Sequence, residues 1–292
     1  MGIIKAALAG ASSTLADSWQ EFYVCESIPT DVLVVRGKKQ LGKHSSNTKG
    51  NDNVITDGSG IVLHEGQAMI MVDQGIVTEI ATEPGVYKYE SGTSPSLFSS
   101  SFGAGLKETF RETWDRIKHG GDAAKDQRIY FFNMKELLDN KFGTQNPVPF
   151  RVTYQDLGRS FTVGVRCNGI YSYKIADLFY ANVCGNVTNQ YSRSELDAQL
   201  KSEFLDSLQP VFSTIAASGI RYDELPGRQK ELKTAVETEL NPEWKEKRGL
   251  KIEKVAINSA TISEADTKRI QEFEDRAWNT NPTNAAATLV ES

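Results

Sequence analysis

Three cysteines (Cys25, Cys167, Cys184) and three histidines (His44, His64, His119) are the chain's entire stock of thiols and imidazoles. No two cysteines form a CxxC pair, and an odd number builds no disulfide framework. So few histidines leave little material for a His-rich metal centre or a Ser–His–Asp triad. Cys167 falls on the apolar face of an alternating stretch, the place of a small core residue. A cysteine nucleophile would need a histidine beside it. Carboxylates are numerous but scattered. Gly103–Thr109 has the glycines of a phosphate loop but not the GxxxxGK[ST] spacing after a buried strand. Asn186-Val-Thr188 is a glycosylation sequon that lacks an accompanying secretion signal. The expectation is a chain with no catalytic residue, no cofactor and no metal, hence not an enzyme. The competing enzyme reading needs a pocket that gathers His64 or His119 with cysteine or carboxylate groups.

A second set of residues could bind rather than react. In a helix, Ile3, Ile4, Ala7, Leu8, Ala11 and Leu15 would share one broad apolar face. That face fits either an interfacial membrane helix or a terminal helix docked on the protein. The stretch Arg36 to Lys49 carries Arg36, Lys38, Lys39, Lys43 and Lys49, with no acid between Asp31 and Asp52. It reads as a solvated loop or as a contact for anionic headgroups, worth about 1 kcal/mol per well-placed cation. The expected membrane contacts are therefore Ile3, Ile4 and Leu8, with Arg36, Lys38 and Lys39. No stretch approaches the roughly 20 apolar residues that span a bilayer, so such contact would be peripheral. The net charge of −5 and the lack of aromatics among the basic residues exclude a general nucleic-acid binder.

The elements that must position these residues follow from periodicity and turn chemistry. The chain has 292 residues, 39% hydrophobic and 24% charged, enough for a packed core. From about Asp31 to Tyr89, short apolar runs separated by Asp57-Gly-Ser-Gly60, Asp73-Gln-Gly75 and Pro84-Gly85 predict an antiparallel β-meander. Residues 90–125 read as an insertion, a Ser/Gly-rich loop followed by a helix over Gly105–Lys118. Arg128–Phe132 reads as a strand, and Leu137 and Leu138 as a short helical turn. Val148–Tyr154 is a strand that Pro147 and Pro149 confine to an edge or a strand start. Phe161 to Ile175 alternates with period 2, a half-buried strand or strand pair. A helix from Ser194 to Gly219 should kink at Pro210. A second helix runs from near Pro226 to Gly249, followed by a strand over Leu250–Ile262. A last helix from about Glu264 carries Ile270, Phe273 and Ala277. The class is α+β.

Gly60-Ile-Val-Leu-His-Glu-Gly-Gln-Ala68, the Gly75 turn and Glu83-Pro-Gly-Val-Tyr-Lys-Tyr89 resemble the start of the SPFH (band 7) domain of stomatins, prohibitins and flotillins. The later order fits too: a long strand ending in Tyr171-Ser-Tyr-Lys-Ile-Ala-Asp177, two helices, then Gly249-Leu-Lys-Ile-Glu-Lys-Val-Ala-Ile257 before Glu264. Ser45–Gly50, Asp126–Asn133, Asp139–Gly143, Pro147–Phe150, Val165–Gly169, Asn182–Asn186 and Asn284–Leu289 resemble the bacterial virion-core-protein-like subfamily. The resemblance implies an SPFH domain over residues 30–275, with a helix and lead-in at 1–29 and the start of a tail at 276–292. It further implies a non-catalytic, homo-oligomeric scaffold or adaptor. That scaffold would be cytoplasmic and peripheral at the inner face of the cell membrane, with a partner from an envelope-stress module or a protease. Members often continue into an Ala-rich helix and a zinc ribbon, whose paired cysteines this sequence does not contain. The alternative is a soluble oligomeric assembly or adaptor without membrane binding, using the outward face of Phe161–Ile175.

Overall fold

The computed structural model describes residues 2–5, 21–42, 53–91, 97–98, 126–154, 158–176 and 179–280. The expected helix over 105–118, Leu8 and the 43–49 part of the basic stretch lie outside these residues. The first strands in chain order are β1 (Gly2–Lys5), β2 (Glu21–Val24), β3 (Val32–Arg36), β4 (Lys39–Leu41) and β5 (Gly60–Leu63). Next come β6 (Gln67–Asp73), β7 (Ile76–Ala81), β8 (Gly85–Glu90), β9 (Leu97–Phe98) and β10 (Gln127–Asn133). After them run β11 (Leu137–Gly143), β12 (Val148–Tyr154), β13 (Arg159–Ile175) and β14 (Gln190–Ser192). Helices α1 (Ser194–Ala217) and α2 (Gln229–Trp244), strand β15 (Leu250–Thr261) and helix α3 (Glu264–Thr280) complete the described chain. The class is α+β, as the sequence implies.

The chain divides into two compact units. The first comprises Met1–Leu137, Lys174–Ala198 and Glu243–Lys251. Its two sheets have the orders β1-β8-β5-β2-β4 and β14-β3-β10-β6-β7-β9. Tyr23, Ile61, Tyr87 and Tyr89 from the first sheet share a core with Met69, Met71, Ile129 and Phe131 from the second. Strand β6 lies between β10 and β7 and is buried along its whole length, which explains its unbroken apolar run. Gln74 (φ 52°) and Gly75 (φ 82°) make the β6–β7 turn, a left-handed pair that matches the twist of the strands.

Two expectations for this unit are corrected. The early strands do not form one meander. β6 pairs with β7 in one sheet, while β5 pairs with β8 in the other, so the chain alternates between sheets. Local patterning specifies strands, whereas pairing is decided by distant partners. Residues 2–5 also form a strand rather than a helix, zipped antiparallel to β8 from Gly2↔Glu90 to Lys5↔Tyr87. A four-residue segment gains more from an open sheet edge than from an isolated helical turn.

The second unit comprises Leu138–Tyr173, Gln199–Pro242 and Ile252–Ser292. Long strand β13 pairs with β11, β12 and β15. The predicted alternation holds as one strand, and Pro149 sits in β12, at the end of the sheet order. Leu138 lies in β11 rather than in a helical turn, and its neighbour Asp139 takes φ 61°. Aspartate tolerates this left-handed conformation better than most residues. Helix α1 runs unbroken through Pro210. Its Leu200, Phe204, Leu208, Val211, Phe212 and Ile215 are buried. Phe204 stacks on Tyr171 at 4.4 Å and tilts against Phe142 at 4.6 Å. Gly169 allows the closest approach in this sheet: a Cβ there would stand 2.1 Å from the Ala256 carbonyl oxygen.

Candidate functional site

The thiols are the most reactive groups in the sequence, and their surroundings quiet them. Burial pushes Cys167 up to about 11 and Cys184 up to about 12. Cys25 is raised by burial first and by the charge of Glu26 second. All three therefore carry their protons at neutral pH and are poor nucleophiles. His64 is half-buried in the turn before β6. Among the described residues, no three His, Cys, Asp or Glu side chains gather as a metal site.

Of the six expected membrane contacts, the five that are described are not brought together. Ile3 is fully buried in the core of the first unit. Ile4 points to the opposite face of β1 and is 44% exposed. Leu8 is outside the described residues. Arg36 donates to the Asn53 side-chain oxygen and to the Thr188 carbonyl. The Lys39 side chain is buried, with its ammonium 3.3 Å from the Glu21 carboxylate and donating to the Val54 carbonyl at 2.9 Å. These side chains are 4% and 3% exposed, so the ion pair belongs to the fold and does not face a headgroup. Lys38 is exposed. β1 and β4 form opposite edges of their sheet, so Ile4 is also remote from the β3–β4 turn that holds Lys38. Ile3 and Ile4 thus lie on opposite faces of a strand rather than on one helical face, and Arg36 and Lys39 are engaged within the fold.

Polar and aromatic side chains do converge where α3 meets the sheet of the second unit. The Asp266 N–H bonds the Ser263 hydroxyl at 3.1 Å, capping the first turn. One Asp266 carboxylate oxygen then accepts the Gly164 backbone N–H at 3.2 Å. Arg269 donates to the Thr162 carbonyl at 3.1 Å and lies 5.0 Å from the centre of the Phe161 ring. Further along, Phe273 packs on Tyr154 at 4.9 Å and on Phe161 at 5.6 Å. The Tyr154 hydroxyl donates to Glu274 at 2.6 Å, and Arg221 reaches the same carboxylate oxygen at 3.4 Å. Burial, followed by the hydrogen bond and negative charge of Glu274, lifts Tyr154 to about 12. Trp278, in the last turns of α3, is 68% exposed.

A groove of about 480 Å³ runs between α1 and α2. Its hydroxyls are turned back onto their own helices: Ser218 to Thr214, Thr234 to Lys230 and Thr238 to Thr234. The charged side chains of its lining are Lys230, Glu231 and Glu239.

The Asp266, Arg269, Glu274, Tyr154 and Arg221 constellation was not singled out in the sequence. Only part of it left a local trace. Ser263 followed three residues later by Asp266 is a capping pattern, and Ile270, Phe273 and Ala277 mark one narrow apolar stripe. Their partners on β12 and β13 lie about a hundred residues earlier. In comparisons with known proteins, the profile of the SPFH domain-Band 7 family matches residues 48–277. No curated protein matches the chain.

Proposed function

The chain belongs to the SPFH domain-Band 7 family, and we propose that it acts as a non-catalytic scaffold or adaptor working through protein–protein contact, self-association included. The family match, which covers most of the chain, carries this reading. The protonated, desolvated thiols support it, since they remove the best nucleophiles from neutral-pH chemistry. The use of Ile3 and Lys39 inside the fold favours protein contact over lipid contact. The test is the native mass of the full chain by light scattering, with and without anionic vesicles. A homo-oligomer whose mass and flotation are indifferent to vesicles supports the reading. A monomer at every concentration overturns it.

A second reading keeps the same scaffold but places it peripherally at the cytoplasmic face of the cell membrane. There it would serve an envelope-stress module or a protease, as in the virion-core-protein-like subfamily. The exposure of Ile4 and Lys38 favours it. Under this reading the chain floats with anionic vesicles at low salt, and Lys38→Glu reduces the floating fraction severalfold.

A further inference from the structure

We propose that α3 is a releasable strap that guards an open stretch of the β13 edge at Thr162–Gly164. The ladder between β13 and β15 explains why that stretch is open. Asn168 bonds Ser259 at 2.8 Å, and Thr261 reaches the Arg166 carbonyl at 3.4 Å. Stepping along an antiparallel pair, the next rungs on β13 are Gly164 and Thr162. Strand β15 ends at Thr261, and on this edge the Gly164 N–H and the Thr162 C=O meet side chains of α3 instead. On the other side β12 pairs with β13 from Val148↔Val165 to Tyr154↔Arg159, so the Gly164 N–H and the Thr162 C=O face away from β12.

Side chains of α3 take the place of the missing strand. The Asp266 carboxylate accepts the Gly164 N–H, and the Arg269 guanidinium donates to the Thr162 C=O. These are the acceptor and donor that a neighbouring backbone would have supplied. Substituting side chains for a strand in this way keeps the edge from pairing elsewhere.

The strap is releasable because little apolar surface holds it. From Glu264 to Trp278, Ile270 is the one buried residue, with Asp266, Phe273 and Ala277 half-buried. The remaining grip is polar contact at the surface and the Phe273–Tyr154–Phe161 ring cluster. Segments held this way open locally well before the unit unfolds. Release bares the Gly164 N–H and the Thr162 C=O on β13, beside the rings of Phe161 on that strand and Tyr154 on β12; a free N–H and C=O on an extended edge are what an added β-strand recognises. This inference stands apart from the scaffold reading, since it concerns an opening within one chain.

Residue-resolved hydrogen exchange of the full chain tests it. The amides of Lys268–Arg276 and that of Gly164 are expected to exchange at one common rate, at least tenfold faster than the amides of Phe204–Phe212 in α1. Phe273→Ala should accelerate the α3 and Gly164 amides together, about fivefold, and leave α1 unchanged. Asp266→Ala should expose Gly164 while Asp266→Asn, which keeps an acceptor oxygen, should not. Gly164 exchanging as slowly as α1 overturns the proposal. So does a uniform acceleration of the whole unit by Phe273→Ala, or loss of Gly164 protection in neither Asp266 variant.

Discussion

Helices α1 and α3 both lie against strands of the second unit's sheet, and they are held by opposite means. Within the unit, α1 sends Leu200, Phe204, Leu208, Val211, Phe212 and Ile215 into the core. Its apolar side chains recur at three- and four-residue steps over most of its length, the stripe of a core helix. α3 buries Ile270 and then relies on Asp266, Arg269, Phe273 and Glu274 at the surface. Buried apolar area contributes about 25 cal/mol per Å² and is not weakened by charge screening. Exposed ion pairs contribute roughly 0–1 kcal/mol each and are screened. One helix is therefore part of the folding unit and the other is attached to it.

Phe204→Ala should have the largest effect on the unit. Phe204 is fully buried between Tyr171 and Phe142. Its truncation is expected to cost about 3–5 kcal/mol. Urea unfolding should show the loss across the whole unit; a loss below about 1 kcal/mol would deny α1 its core role.

Phe273→Ala removes a half-buried ring from α3 and should cost about 1 kcal/mol, a fraction of a fully buried phenylalanine. The global unfolding midpoint should move far less than for Phe204→Ala. Equal shifts in the two variants would erase the distinction between the helices.

Arg221→Ala deletes the bridge to Glu274 at 3.4 Å, between side chains that are both about two-fifths exposed. The expected cost is roughly 0.2–1 kcal/mol, shrinking as salt is raised. A larger, salt-independent cost would mean that the network binds α3 as firmly as a core.

The smallest effect is alkaline. Tyr154 is raised from its usual 10 to about 12, by burial first and then by Glu274. A raised value in the folded state means that the stabilisation is complete below pH 10 and is lost as pH rises through about 12. Wild type should therefore lose melting temperature over that interval relative to Tyr154→Phe. Parallel melting curves for the two proteins would remove Tyr154 from the latch.

Much of the fold was legible because its signals are local. The period of Phe161–Ile175 declares a half-buried strand, and β13 is that strand. The unbroken apolar run at Ala68–Val72 becomes the buried centre of a sheet. The apolar steps of α1 and the stripe of α3 are both readable, and Cys167 is the core residue that its place on the alternating strand implies. What misled were residues whose partners are distant. Ile3 looked like one side of a helix until β8, more than eighty residues on, supplied an edge to pair with. Lys39 looked like a free cation in a basic stretch, yet Glu21 on the neighbouring strand neutralises it out of water. The α3 latch was invisible for the same reason, since a surface tyrosine, a strand carbonyl and an arginine acquire meaning only when placed side by side.

By itself the sequence determined the α+β class, the order of most strands and helices, the family, and the scarcity of groups suited to catalysis. These rest on composition and on side-chain spacing within single elements, which the backbone's own periods of 2 and 3.6 residues convert directly into faces. Tertiary structure alone decided which strands share a sheet, which cations are consumed inside the fold, and which edge of β13 the last helix covers. Those outcomes depend on pairing and desolvation between residues far apart in the chain, where free energy is set by partners rather than by neighbours.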